Sequence, residues 1–455
     1  MTEASAPAPI GASISDGTPT AVPLVSAAFR RYALVILLLV YTVNFLDRQI
    51  VSILAEPIKN DLNLKDWHIG LMSGFAFALF YCFLGLPIAR LAESFNRVWI
   101  IGGSLAIWSG FTIACGSAAN FVQLVLARIG VGVGEAGCTP TAHSLIADYV
   151  PKEQRASALA FFSIGTPLGG LLGLAMGGVI ADAYGWRTAF LVAGLPGLIL
   201  TAVVLLTLKE PRKQIAKDAV MHVPGKGHFV TTLKYLARKK TFWFIAFAAA
   251  IKAFIGYGHG PFTASFFFRN HSEEIAAMAA MVGLKSAGFL GLALGLMGGT
   301  AGIISSWAGG WIADQAAKRD LRAYMSVPAV AALISPVIFT VAMLQNSAVW
   351  AMVLLVLPGL LGSLWYGPVY SSAQGLVPPH MRATAASILI FIINLVGLGL
   401  GPLAVGALSD ILAGPMGMGS AEGVRWALIL SSFMGIVAFG LFWAARKTIR
   451  EEMVS

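Results

Sequence analysis

The chain has 455 residues, 57% of them hydrophobic and 11% charged, with a mean hydropathy of +0.79. A soluble domain carries about 25% charged residues, so this composition excludes a water-soluble globular protein and places most of the chain in a bilayer. The formal net charge of +10 is not read as nucleic-acid binding, because where the charges fall matters more than their sum.

Residues 1–28 are rich in Ala, Pro, Ser and Thr and almost uncharged; without a basic leader or short apolar core they read as a disordered cytoplasmic tail, not a cleaved signal peptide. A membrane span needs about 20 mostly apolar residues. Twelve stretches qualify: 32–54, 68–91, 98–118, 121–147, 157–181, 188–208, 242–268, 285–313, 322–343, 348–374, 383–410 and 425–446. The expected fold is all-α and polytopic, with six-helix bundles at 29–208 and 241–446, a basic cytoplasmic linker at 209–240 and a cytoplasmic tail at 447–455. The linker either lies along an anionic inner leaflet or is simply a solvated charge run. With both termini inside, about 22 of the 31 basic residues fall on cytoplasmic segments and about 6 outside, the asymmetry expected of an even number of spans. Within the external segment 269–284, Ser272-Glu-Glu resembles a helix N-terminus and predicts a short helix. Cys82, Cys115 and Cys138 lie in apolar stretches without C-x-x-C spacing and read as packing residues, not a disulfide framework or zinc site.

Three basic residues, Arg48, Arg128 and Lys252, fall inside spans. Asp47 and Arg48 lie well within the first, between Val35–Val40 and Ile50–Leu54. A charge at that depth costs about 2.5–3.5 kcal/mol on insertion scales and is tolerated where it faces a polar cavity or a partner. Asp47 therefore reads as a proton or ligand site, or as half of a static ion pair. In the fourth span Arg128, Gly132 and Glu135 share one helical face. The two charges are about 10 Å apart along the axis, so each needs a partner elsewhere. Asp47 and Arg48 fall at a depth between them, and adjacent helix residues point about 100° apart, which favours Arg48 as the mate of Glu135.

The two halves repeat each other. Val150-Pro-Lys-Glu-Gln-Arg155-Ala-Ser-Ala158 aligns without a gap to Val377-Pro-Pro-His-Met-Arg382-Ala-Thr-Ala385. The spans that follow close on Gly178-Val-Ile-Ala-Asp182 and Gly406-Ala-Leu-Ser-Asp410. Ala89-Arg-Leu-Ala-Glu93-Ser-Phe-Asn-Arg97 likewise matches Gly310-Trp-Ile-Ala-Asp314-Gln-Ala-Ala-Lys318-Arg319, each after the second span of its half. The matched pairs are roughly 220–230 residues apart. Two bundles related by a pseudo-two-fold along the membrane normal, with a site between them, follow from such a repeat.

The last pair resembles the loop signature of the major facilitator superfamily, Gly-x-Leu-Ala-Asp-Arg-x-Gly-Arg-Lys, with Ala89, Glu93 and Asn96 as departures in the first copy. Asn44-Phe-Leu-Asp-Arg48, Leu91-Ala-Glu-Ser-Phe-Asn-Arg97 and Gly132-Val-Gly-Glu-Ala-Gly137, in that order, resemble the Spinster family in particular. The resemblance implies that the first, fourth, seventh and tenth spans line the cavity. It also implies protonation at Asp47 and Glu135, in a neutral cluster with Arg48 and Arg128. Burial and a neighbouring guanidinium act in opposite directions on a carboxylate, so such a site can titrate near neutral pH. Tyr41, Asn44, Gly132, Lys252, Tyr257, His259, Trp365, Tyr366 and Tyr370 are then the expected cavity residues. Lys252 either attracts an anionic headgroup or snorkels, and His259 either relays protons or packs. The Gly256-Tyr-Gly-His259-Gly-Pro261 run marks either a bending gate or a passive kink. At the cytoplasmic side Glu93 is expected by Arg382, and Asp314 by Arg155, with Arg97 in the same gate.

The function implied is proton-coupled transport by alternating access, of an amphipathic lipid such as a lysophospholipid or sphingoid phosphate. The alternatives are a proton-coupled antiporter of drugs or small organic anions and an uncoupled scramblase or channel. An enzyme is not expected, because no H-E-x-x-H, G-x-S-x-G or Cys/His cluster occurs. The expected setting is a bacterial inner membrane and a monomer. Its partners are protons, the small amphipathic substrate and membrane lipids, with no cofactor, metal or nucleic acid.

Overall fold

The computed structural model describes residues 26–151, 154–211 and 227–454. Most of the expected tail (1–28) and the middle of the linker lie outside the described residues, as does the side chain of Glu93. Among the described residues twelve helices are long and apolar enough to cross a membrane. They are α1 Ala27–Asp61, α2 Asp66–Ala92, α3 Arg97–Gly116, α4 Phe121–Tyr149, α5 Ser157–Tyr184, α6 Trp186–Thr207, α7 Lys240–Asn270, α8 Ser286–Ala317, α9 Ala323–Met343, α10 Ala348–Gly375, α11 Pro379–Ala413 and α12 Gly419–Glu452. Each matches one apolar stretch. The bundle has a near end, where the described chain starts and finishes, and a far end.

The boundary that moves most is the end of α1. Apolarity stops at Leu54, but the helix runs on to Asp61 because its late charges are paired: Glu56 with Arg269, Lys59 with Asp66, and Asp61 with Arg187. The glycine-rich α7, where a bend or kink was expected, is one unbroken helix with Pro261 inside it. Besides single-residue interruptions at Ile164 in α5 and Phe433 in α12, breaks fall in α4, after Glu135, and in α10, at Ser363–Trp365. The α4 and α10 breaks are at equivalent positions of the repeat. The short helix Ser272–Met281 is present, but its cap residue is His271, not Ser272. Burial pushes the His271 pKa down, so that ring is neutral at pH 7. Glu274 caps α10 instead, accepting from the Ala348 N–H at 2.7 Å.

Helices α1–α6 and α7–α12 meet mainly through α5 against α8 and α2 against α11. Glycine permits the closest approach. A Cβ on Gly178 would stand 2.1 Å from the Ala287 carbonyl oxygen, and one on Gly406 would stand 2.4 Å from that of Asp66. One turn on, the aspartates of the same phrases cap the helices they touch. Asp182 Oδ2 accepts from the Gly288 N–H at 2.6 Å, at the start of α8. Asp410 accepts from the N–H groups of Asp66 and Trp67 at 3.0 and 2.8 Å, at the start of α2. A carboxylate at a helix N-terminus satisfies orphan donors and complements the helix dipole. The repeated Gly-x-x-x-Asp phrase is therefore a clamp that each half places on the other at the far end.

Arg269 reinforces it. Its guanidinium bonds Glu56 at 2.8–3.0 Å and Asp66 at 2.8 Å, joining α7 to α1 and α2. Ser409 and Lys59 also bond Asp66, each at 2.6 Å. At the near end, among the described residues, ion pairs stay inside a half: Arg97 with Asp148 and Glu210, and Arg450 with Asp320. The Arg322 backbone N–H, helped by Arg450, holds the Asp320 carboxyl below its usual range. Among the described residues, the far end is thus locked between halves and no ion pair joins the halves at the near end.

Candidate functional site

One ion pair and two further buried charges lie inside the first bundle. Arg48 Nε is 2.7 Å from Glu135 Oε2, and the Glu135 side chain is fully buried. The Arg48 guanidinium carbon sits 5.3, 4.9 and 4.6 Å from the ring centres of Phe45, Phe77 and Tyr81, a cation–π cage within the usual 6 Å range. Asp47, one residue earlier, points elsewhere and is fully buried. Its Oδ2 accepts from Thr112 on α3 at 3.0 Å, and its Oδ1 has no hydrogen-bond partner among protein atoms. Arg128 is buried within electrostatic reach of Asp47, and its Nε and Nη1 are likewise unbonded. The structure therefore brings all four charges together and divides them as the helical geometry suggests. Asn44 lies in the same region, with neither amide atom bonded.

A cavity of about 450 Å³ lies mostly in the second half, walled by α7, α8, α9, α10 and α12, with Phe45, Gln49 and Thr166 from the first half. Lys252, Tyr257, His259, Trp365 and Tyr366 line it as expected. Tyr41, Asn44, Gly132 and Tyr370 do not. Tyr41 is stacked on Phe162 at 4.2 Å, and Tyr370 extends the Tyr366 stack at 6.3 Å. Gly132 faces α2, where a Cβ would lie 2.5 Å from the Phe77 carbonyl oxygen, so it serves close helix packing. His259 takes the packing role: Nε2 is 3.0 Å from Ser431 Oγ and the ring stacks on Phe339 at 4.6 Å.

Of the two expected cross-half gate pairs, Asp314–Arg155 is not formed at the near end, and Glu93–Arg382 lies outside the described residues. Asp314 accepts from Tyr324 Oη of its own half at 2.9 Å, and Arg155 Nε donates to the Val150 carbonyl at 3.2 Å. Arg97 is buried and ties α3 to α4 and to Glu210 after α6. Arg382 is exposed at the start of the helical part of α11. The physical reason is that the halves are joined at the other end.

Sequence reasoning missed the far-end network and the glycine part of the cavity wall. Arg269 reads in sequence as an ordinary loop cation. Gly298, Gly302, Gly359 and Gly362 form wall by having no side chain, which no pattern of residue types announces.

A profile described as the Major Facilitator Superfamily matches residues 37–402. The chain is 32% identical over 419 residues to an "MFS-type efflux pump" of Mycolicibacterium smegmatis, covering 92% of this chain and 93% of that one. It is 26% identical over 445 residues to "Protein spinster homolog 1" of Xenopus laevis, covering 94% and 83%. Among solved structures it resembles a bacterial homologue of the human lysosomal transporter Spinster, inward-facing and unoccupied. The TM-score is 0.84 at 29% identity, covering 95% of this chain and 100% of that one. These relatives and the twelve apolar helices make the chain a multi-pass integral membrane protein built like a transporter.

Proposed function

The chain belongs to the major facilitator superfamily, and from that membership we propose a proton-coupled secondary transporter working by alternating access, with an amphipathic lipid of the lysophospholipid or sphingoid-phosphate type as cargo. The observation that carries the reading is the Arg48–Glu135 pair beside Asp47 and Arg128, all held inside one bundle. The group is neutral when both acids are ionised. A proton on either acid leaves one arginine uncompensated in a low-dielectric interior, where an unpaired charge is costly. Proton binding at Asp47 and Glu135 thereby biases the packing of the helices that carry them.

The bundles 29–208 and 241–446 are the two rocking bodies. The near end is cytoplasmic, as the Lys/Arg distribution favours, in a bacterial inner membrane with the protein as a monomer. Glu93, Arg97, Asp314, Arg155 and Arg382 join the halves when that side closes. A second reading, proton-coupled efflux of drugs or small organic anions, is favoured by the similarity to a protein named an efflux pump. An uncoupled scramblase or channel has no use for two buried acids.

Asp47→Asn in proteoliposomes is expected to abolish uptake driven by an imposed proton gradient while leaving the protein folded and cargo exchange at equal pH intact. Normal proton-driven flux in that variant refutes the coupling role. A panel of lysolipids and drug-like cations separates the two cargo readings in the same assay.

A further inference from the structure

We propose that Lys252 and the glycine faces of α8 and α10 together select the cargo: an ammonium binds its oxyanion, and a slot beside it takes one slender apolar chain. This rests on the reading of the cavity as the transport site, and it assigns a class of cargo, the single-chain anionic amphiphile, to particular residues.

Lys252 is only 7% exposed, lines the cavity, and makes no hydrogen bond or ion pair. Among the described residues it is the one charged side chain in the cavity wall, which contains no Asp or Glu. It lies about 18 Å or more from either end of α7 at 1.5 Å per residue. Its side chain is buried and lines the cavity, so it points into the bundle and not along the lipid face. Tyr257 and His259 share that wall on α7; His259 is occupied with Ser431, and neither is a carboxylate that could pair with the ammonium. A buried cation without an anion is expensive, and an anion that arrives with the cargo removes that cost. Ser335, Ser363 and Thr166 line the same cavity and can donate to the remaining oxyanion lone pairs.

The slot is made by absence. Gly298 and Gly302, one turn apart on α8, and Gly362 on α10 all line the cavity, and a Cβ on any of them would meet no atom within 4 Å. They differ from the packing glycines of the same helix, such as Gly309, where a Cβ would stand 2.3 Å from the Leu364 carbonyl oxygen. Glycines that hold no helix against its neighbour leave room for something else. The rest of that wall is apolar, with Phe339, Leu355, Pro336 and Pro358. A volume of about 450 Å³ lies in the small-molecule range of roughly 300–1,000 Å³.

The test uses the full chain in nanodiscs with quenching of tryptophan fluorescence, since Trp365 lines the cavity. The probes are dodecanoate, monoacyl lysophosphatidic acid, lysophosphatidylcholine, dodecyltrimethylammonium and acetate. The two chain-bearing oxyanions are expected to bind saturably and best. Lys252→Met should weaken both by at least about tenfold, weaken lysophosphatidylcholine less, because its own ammonium offsets its phosphate, leave dodecyltrimethylammonium no weaker, and not lower the melting temperature, because an unpaired charge is removed. Lys252→Arg should keep most of the binding. Gly302→Leu should weaken every chain-bearing probe whatever its head charge, with the fold intact. Whichever of the carboxylate and phosphate binds more tightly identifies the source of the oxyanion. Unchanged anion binding in Lys252→Met, or unchanged chain binding in Gly302→Leu, overturns the assignment. Proton-driven flux that survives both variants defeats this site and leaves the transport reading standing; binding as expected without any flux does the reverse.

Discussion

Glu135→Gln is expected to stop proton-driven transport and to destabilise the protein by about 3–5 kcal/mol, the usual cost of removing one member of a buried ion pair. The loss arises at Arg48, which would keep its charge with no carboxylate at 2.7 Å. Its three-ring cage offsets part of the cost, since each cation–π contact contributes about 0.5–2 kcal/mol. Replacing both members distinguishes the two roles. Arg48→Met with Glu135→Leu removes the charge together with its partner and should recover most of the thermal stability, because apolar substitutes of similar volume often match a buried pair. Transport should stay lost. Melting temperatures in nanodiscs and flux in proteoliposomes measure the two separately. A double variant that transports normally would make the pair purely structural.

Arg269→Ala should have the largest effect on conformation. One guanidinium holds carboxylates on α1 and α2 from α7, and its side chain is 8% exposed. Without it Glu56 and Asp66, both on the first half's side of the seam, lose the cation they share across it, with Lys59 left on Asp66. The population should move toward states open at the far end. A cysteine at Leu290, fully buried there, reports this: its maleimide labelling rate should rise about tenfold, as a coupling of about 1.4 kcal/mol requires. Asp314→Ala should act oppositely on the same reporter, by weakening the contact that closes the other side. Equal labelling in all three backgrounds would show that neither end is a gate.

The fold was legible because lipid admits only helices or closed barrels, and apolar stretches of twenty or more residues select helices. The Arg48–Glu135 pair was legible because helical spacing forces Arg128 and Glu135 to find separate partners. Other residues were hidden for distinct reasons. Asp182 and Asp410 were visible as a repeat, but their ligands are backbone N–H groups of the opposite half, which carry no residue signature. Gly132 and Gly302 are the same letter, yet one admits a helix and the other opens space. Asp314 and Arg155 read as neighbours from the loop signature, whereas in this structure each bonds within its own half. Gly256, Gly258, Gly260 and Pro261 in α7 suggested a bending gate or a passive kink, and the helix runs through them without a break.

The far-end clamp also bears on ancestry. Gly178 and Asp182 treat the start of α8 as Gly406 and Asp410 treat the start of α2. Each half gives and receives the same contact, which is the rule of an isologous two-fold dimer. A six-helix precursor carrying one such phrase already had the means to pair with a copy of itself, before any duplication joined the two in tandem. The covalent connection is then a later convenience, and chains cut within the linker between Lys209 and Lys240 should still co-purify when produced together, less so with Asp182→Ala and Asp410→Ala. Failure of the cut halves to associate would mean that the fusion, rather than the clamp, makes the dimer of halves.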